Sequence, residues 1–461
     1  MNSYRTPPLY SVTDLPYFDN PCELFNAIAH LSGAIWLDSG RPFSTLGQYD
    51  IFSALPIEVI SPFNHHQKDC PFDRLKTLLS ALPELPNHKD TPFIAGALGY
   101  FGYESAQQAI GVAANNPKLV DLPDYVWGLY PHAIVMDHHN RTCRFYALEG
   151  FESFAQPLRD CLNQTRTTQP SSFSLWELQQ AQPRENYVQQ LERIHQYIHS
   201  GDCYQVNYTH PFSAQWKGDP WQAYQALRQS MPSPYSCFMR LPHGGAIMSL
   251  SPERFIQVKN GHINTKPIKG TRPRASDPQQ DHEHQHALRN SLKDQAENLM
   301  IVDLLRNDMS KHAQVGSVNV TKLWDLETFA NVHHLVSTIE ADLIEGSHPL
   351  DLLRDAFPGG SITGAPKKRA MEIIDELERF QRGIYCGAIG YVGCDGNMDT
   401  NIAIRTIGMD CQRLALWGGG GIVADSNTDS EYAESLVKIN KLLETLKRFD
   451  TEHKKNPSPC H

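Results

Sequence analysis

The chain has 461 residues, 40% of them hydrophobic and 20% charged, the mix of an ordinary globular protein with enough material for a large core. Forty-one basic residues stand against 51 acidic ones, the net charge is -10, and no basic run offers a patch that could track phosphates, so nucleic acid is excluded as an expected partner. Residues 1–16 lack an apolar signal segment and the longest nearly apolar stretch, Phe93–Tyr103, is too short to span a bilayer, so a cytoplasmic chain without membrane contact is expected. The 10 cysteines form no CxxC pair and read as reduced, packed thiols.

Strand-like runs at Ala34–Leu37, Phe93–Gly102 and His132–Met136 are separated by Pro, Asn and Asp clusters. The Thr-, Gln- and Ser-rich stretch Asn163–Ser174 then reads as a surface loop. Four regions are expected: an N-terminal region 1–162, a linker 163–185, a catalytic region 186–449 and a disordered tail 450–461. Tyr187, Leu191, Ile194, Tyr197 and Ile198 have helical spacing, and Gly201 is placed to end that helix. In the next strand, Cys203–His210, Tyr204, Val206 and Tyr208 should pack while Gln205, Asn207 and Thr209 present amides and a hydroxyl. A solvated edge strand would read the same way.

Ser251-Pro252-Glu253 precedes an expected hairpin at Asn260-Gly261, which leads on to Thr265–Thr271; the hairpin could bring Glu253 to Lys269. An amine set beside glycine and among apolar neighbours is partly desolvated and more nucleophilic. With an unperturbed pKa near 10.4 only about one lysine in a thousand is neutral at pH 7.4, so the environment matters. Taken alone, Lys269 reads first as a surface lysine, since lysine is rarely buried.

Asp294 and Glu297 are three residues apart in the helix-like run Lys293–Arg306, and Glu431 and Glu434 repeat that spacing with Lys438 on the same face. If the two helices faced each other they would offer a hard-oxygen Mg²⁺ site; apart, they are ordinary solvated faces. The glycine-rich run Phe357–Lys367 leads into a helix with Ala370, Ile373, Ile374 and Leu377 on its apolar side. It departs from the nucleotide P-loop because Lys368 follows Lys367 and the glycines are misplaced, so an organic acid at the helix start is expected instead. A second run, Gly418–Gly421, follows the strand-like Leu414–Trp417 and lets backbone approach a ligand.

The motifs SPERF, PIKGTRPR, AENLMIVDLLRND, VHHLVSTI, PGGSITGAPKKRAMEIIDELE, GAIGYVG, IAIRT and GGGIVADS occur in this order between about residues 185 and 445. Together they resemble the chorismate-utilising enzymes, among them anthranilate, aminodeoxychorismate, isochorismate and salicylate synthases. The resemblance implies an α/β (α+β) fold like that of anthranilate synthase component I, with β-sheets packed against helices and the site between them. Relatives that add water typically carry a lysine where this chain has Gln205, so water addition is disfavoured. Anthranilate synthases typically carry alanine in place of Lys269, whereas PIKGT resembles the enzymes that aminate chorismate at ring carbon 4. On that reading Lys269 is a covalent nucleophile, Glu253 the general acid, and His334 lies beside the substrate ring.

The resemblance further implies chorismate held by Ser361, Tyr385, Arg405, Lys438 and the backbone at Gly419, Gly420 and Gly421. Mg²⁺ would be bound directly by Glu297 and Glu434, with Asp294 and Glu431 acting mainly through water; Asp294 departs from the glutamate common in relatives. A tryptophan pocket aligns with Ser39, Leu46, Gly47, Gln48, Tyr49, Pro234, Tyr235 and Ser236. Nothing resembles a glutaminase, so ammonia is expected from a separate glutamine amidotransferase subunit in a heterodimer. An anthranilate synthase large subunit and a non-catalytic binding protein are the alternatives.

Overall fold

The computed structural model describes residues 9–44, 46–62, 70–86, 91–163, 172–328 and 332–451. Two large sheets form its frame, and every pairing between named strands is antiparallel. That makes the architecture α+β: no crossover helix links parallel neighbours, and the helices lie against the sheets as separate layers.

The first sheet has 12 strands. From its edge it runs through Tyr10–Leu15, Thr142–Leu148, His132–Asp137, Tyr49–Ser53, Ile35–Asp38, Tyr235–Arg240, Ala246–Ser251, Thr406–Met409, Arg413–Ile422, Gln205–Gly218 and Gly364–Ala365. The second has 10 strands among the described residues and runs through Ile268–Pro273, Val332–Asp342, His262–Thr265, Arg254–Lys259, Met398–Ile402, Ala388–Gly393, Gly96–Phe101, Tyr125–Tyr130 and Glu58–Ile60, with Asn319–Thr328 also paired to Val332–Asp342. Both sheets therefore draw strands from either side of residues 163–185. Within that span Phe173–Gln180 is a strand paired with Gln205–Gly218, while 164–171, like 452–461 of the tail, lies outside the described residues.

Alternation along the strands explains the layering. Ile35, Ile51, Cys237 and Met239 enter an apolar cluster with Leu98, Trp127 and Ile256 of the second sheet. Their neighbours Trp36, Phe52 and Phe238 point the other way, into a second cluster with Trp221 and Leu442. The first sheet is thus the middle layer, apolar on both faces.

Three helices bear on the site. Leu292–Ser310 lies against Val332–Asp342 and Ile268–Pro273, Lys367–Leu377 against Gln205–Gly218, and Thr428–Lys447 against Arg413–Ile422. Ser291 caps the first of these through the Asp294 N–H, and Asn427 caps the last through the Ser430 N–H. Gly201, at φ +81°, ends the helix Arg184–His199 as its position suggested. One expectation fails: Tyr204 is 70% exposed, whereas Gln205, Asn207 and Thr209 are all buried. The cause is that Gln205–Gly218 is interior to its sheet and the helices Arg184–His199 and Lys367–Leu377 pack on it, so its polar residues are buried too, while Tyr204 lies just outside it. No helix among the described residues is long and apolar enough to cross a membrane, and the nine described cysteines are free thiols.

Candidate active site

Glu253 lies where the chain leaves Ala246–Ser251 of the first sheet and enters Arg254–Lys259 of the second. It is buried, its carboxyl takes hydrogen bonds from the Ile268 N–H and the Ser361 side chain, and Lys269 and Arg405 lie within electrostatic reach. Burial pushes its pKa up to about 7, against the pull of Lys269 and those hydrogen bonds. Such a group holds a proton near neutrality and can release it.

Lys269 is half-buried, and its Nζ donates to the Ser361 carbonyl at 3.3 Å. The apolar surroundings expected for it are absent: Glu253, Glu297 and Glu434 all feel its charge. The hairpin forms at Asn260-Gly261, both at positive φ, but it joins Arg254–Lys259 to His262–Thr265. Lys269 belongs to a different pairing, with Val332–Asp342, and Glu253 reaches it through the backbone of Ile268 rather than through hairpin register. Gly270, at φ +76°, sits at a bulge in that strand, and a Cβ there would lie 2.8 Å from both Asp294 Cγ and Leu288 Cδ1. Only glycine lets the lysine strand approach the carboxylate helix so closely.

His334, on the neighbouring strand, is buried and shares a 2.8 Å hydrogen bond between Nδ1 and Thr271 Oγ1. Burial, aided by Arg405, pushes its pKa down to about 3, so it stands as a neutral imidazole. Arg405 has φ +52° and makes no salt bridge among the described residues; burial holds its guanidinium below the usual value while Glu253 opposes that shift. A desolvated guanidinium of this kind suits a ligand carboxylate. Tyr385 is buried and stacks on Trp417 with ring centres 5.9 Å apart.

The glycine-rich loop differs from the expected free helix start. Gly360–Ile362 form one 3₁₀ turn, and Gly364–Ala365 pair with Gln205 and Val206, which occupies part of the loop backbone. Lys367 ties the loop down, donating to Asp308 and to the Ala356 carbonyl at 2.7 Å each. Across from the loop, both side-chain amide atoms of Gln205 are buried with no partner among the described residues, as is Asn207 Nδ2. Orphaned amides of this kind call for water or ligand. Gly421 faces them, where a Cβ would fall 2.5 Å from Gln205 Nε2.

The four carboxylates converge from the N-terminal turns of two helices, ends whose dipoles favour negative charge. Asp294 pairs with Arg272 at 3.2 Å. Buried Glu431 accepts from Ser426 Oγ at 2.7 Å and pairs with Lys293 across the helices at 3.0 Å. Glu434 pairs with Lys438 at 2.8 Å, and Lys438 also donates to the Gly419 carbonyl at 3.2 Å. Burial raises the pKa of Glu297, and the Asp294 and Glu431 charges add to that shift. Gly420 forms the floor, with Glu431 Oε2 and Lys438 Nζ each 3.5 Å from where its Cβ would stand. The donor set is the hard-oxygen type that suits Mg²⁺, and Lys293 already places a cation between the helices. The side chains as they stand do not close a cage: no three acidic, His or Cys groups among the described residues are gathered for a metal.

Ser39, Leu46, Gly47, Gln48, Tyr49, Pro234, Tyr235 and Ser236 all line one cavity of about 450 Å³. A Cβ on Gly47 would lie 2.3 Å from Ser39 Cβ, so this turn requires glycine. The Ser39 N–H is held by Asp50 at 2.6 Å, and its hydroxyl is buried without a partner among the described residues. Pro252, Arg254 and Ile268, which flank Glu253 and Lys269 in sequence, also line this cavity.

One group escaped the sequence reading. Arg382, 1% exposed, donates to both oxygens of Glu378 and to the carbonyls of Ile362 and Asn207. Glu378 in turn accepts from the Thr209 N–H and hydroxyl. Glu104 accepts from the Arg382 and Gly383 N–H groups, and burial pushes its pKa up to about 8. This node fixes the Gln205 strand to the glycine-rich loop. Its trace in the sequence was the i, i+4 spacing of Glu378 and Arg382 at the end of the ELE motif.

The sequence profile of chorismate binding enzymes matches residues 33–444. Aminodeoxychorismate synthase component 1 of Salmonella typhimurium is 44% identical over 449 residues, covering 95% of this chain and 98% of that protein. The protein of the same name from Escherichia coli is 43% identical over 437 residues, covering 92% and 95%. Among solved structures, anthranilate synthase component I from Streptococcus pneumoniae superposes with a TM-score of 0.76 at 29% identity, covering 86% of this chain and 92% of that one.

Proposed function

The chain belongs to the chorismate binding enzyme family, and from that premise we propose that it aminates chorismate at ring carbon 4 to give 4-amino-4-deoxychorismate. The observation that carries this reading is the meeting of buried Glu253, half-buried Lys269 and Ser361 beside Arg405. The Lys269 amine attacks ring carbon 2, the ring double bonds shift, and the carbon 4 hydroxyl leaves as water with the proton of Glu253. Ammonia then bonds to carbon 4, the double bonds shift back, and the bond from carbon 2 to Lys269 breaks. The balance is chorismate plus ammonia to aminodeoxychorismate plus water. Arg405, Tyr385 and Lys438 bind the substrate carboxylates, and neutral His334 borders the ring.

Mg²⁺ would be held by Glu297 and Glu434, with Asp294 and Glu431 behind them, and would supply positive charge to the ring carboxylate. Lys293 and Lys438 would yield their carboxylates to it. The designation component 1 of the relatives supports a second component, and the role proposed for it is that of a glutamine amidotransferase delivering ammonia, with both in the cytoplasm. The cavity around Ser39 has the size and mixed lining of an amino-acid site and is assigned to tryptophan.

Purified protein incubated with chorismate, Mg²⁺ and ammonium should yield 4-amino-4-deoxychorismate by mass spectrometry. Accumulation of fluorescent 2-aminobenzoate with pyruvate would replace this reading by that of an anthranilate synthase.

A further inference from the structure

A second cavity, of about 380 Å³, opens where the edge strand Glu58–Ile60 and its neighbour Tyr125–Tyr130 in the second sheet meet two hairpin turns of the first, those following Arg240 and Met409. None of the residues assigned above lines it. Its floor is apolar, formed in part by buried Leu122, Val126 and Leu241. Its rim carries Asp121, Asp410 and His243, and no lysine or arginine is among the described lining residues.

The rim is built rather than incidental. Asp410 accepts from the backbone N–H groups of Asp121 at 2.9 Å and of Gln412 and Arg413 at 2.7 Å each, so its carboxylate locks the turn and fixes Asp121. The Asp121 carboxylate itself has no hydrogen bond or ion pair among the described residues. Ser61, 1% exposed, lines the cavity with its hydroxyl unpartnered among the described residues. A buried hydroxyl is ordinarily satisfied, so its orphan state in a cavity wall marks the place of a polar partner.

We propose that this cavity binds a small organic ammonium ion with an apolar body, an arylalkylamine in form. The apolar floor takes the ring, the Ser61 hydroxyl accepts an N–H, and Asp121 balances the charge in a rim whose described lining residues include no lysine or arginine. An anion of the same shape would meet two carboxylates and, among the described lining residues, no lysine or arginine. Because the walls come from both sheets, an occupant also ties them together and raises the melting temperature by mass action.

The test uses the full chain and 2-phenylethylamine as probe, followed by calorimetry and thermal melting. The expected result is saturable one-to-one binding with a rise in Tm, at least tenfold weaker for 2-phenylethanol, absent for 3-phenylpropionate, and unchanged by saturating chorismate. Asp121→Asn and Ser61→Val should each weaken amine binding at least tenfold and leave chorismate turnover intact. Lack of saturation at millimolar amine, full binding by Asp121→Asn, or displacement by chorismate would each overturn the proposal.

Discussion

The two halves of the catalytic pocket are held in different ways. On one side Glu253, Lys269 and Ser361 are fixed by short-range bonds to backbone, in a wall braced by Arg382 and Glu378. On the other, the carboxylates of two helices are held by lysines and an arginine that are themselves partly exposed, such as Lys293 with 48% of its side chain in solvent. Ion pairs of that kind contribute little and exchange readily. The acid–base side is therefore pre-organised, while the charged side holds counter-ions that the proposed substrate and metal would displace.

Substitutions can separate the two sides. The largest effect is expected at Glu253→Gln, which keeps shape and removes the proton donor: kcat should fall on the order of 10²–10⁴-fold with Mg²⁺ affinity unchanged. Steady-state kinetics across Mg²⁺ concentrations checks both parts. On the opposite side Glu297→Gln should weaken apparent Mg²⁺ affinity by at least about 10–100-fold, and EDTA should abolish wild-type turnover; full turnover in EDTA would remove the metal from the account.

Bracing should be read in stability. Arg382→Met leaves Glu378 buried without its partner, a loss of about 3–5 kcal/mol, measurable as a lowered denaturant midpoint.

Protonation gives a smaller, graded effect. The folded-state pKa values of Glu253 and Glu104 are raised, to about 7 and about 8, chiefly by burial. The folded protein thus retains protons that the unfolded chain gives up at about pH 4.5. Stability from these groups is full below that pH and is lost as pH rises through 7 to 8. Turnover at fixed free ammonia should fall over the upper part of the same window, as Glu253 loses its proton. Glu104→Gln should flatten the stability profile; an unchanged profile would assign the slope to other groups. The smallest effect is expected for Ser426→Ala, which removes one hydrogen bond to Glu431, a loss of about 1 kcal/mol that should appear in Mg²⁺ affinity and not in kcat at saturating metal.

Much of this site was legible in the sequence because its chemistry is local. The paired spacing of Asp294 with Glu297 and Glu431 with Glu434, the Asn260-Gly261 turn and the two glycine runs all declare themselves over a few residues. The expectation that Tyr204 packs failed because alternation shows only that two faces differ, and in this interior strand the polar residues are buried too, while Tyr204 lies just outside it. The apolar surroundings expected for Lys269 failed because Glu297 and Glu434 arrive from helices remote in sequence. Arg382 went unnoticed because two of the groups its guanidinium holds, at Ile362 and Asn207, are backbone carbonyls, which carry no sequence signature.

The central claim is that Lys269 bonds to the substrate, and it can be read directly by mass spectrometry of protein mixed with chorismate and Mg²⁺ in the absence of ammonia. The peptide carrying Lys269 should gain the mass of chorismate less water, ammonium should discharge this adduct as 4-amino-4-deoxychorismate, and Lys269→Ala should form none. If the wild type forms no adduct and Lys269→Ala keeps both the full rate and the 4-amino product, Lys269 is an electrostatic or packing residue and the covalent route is wrong.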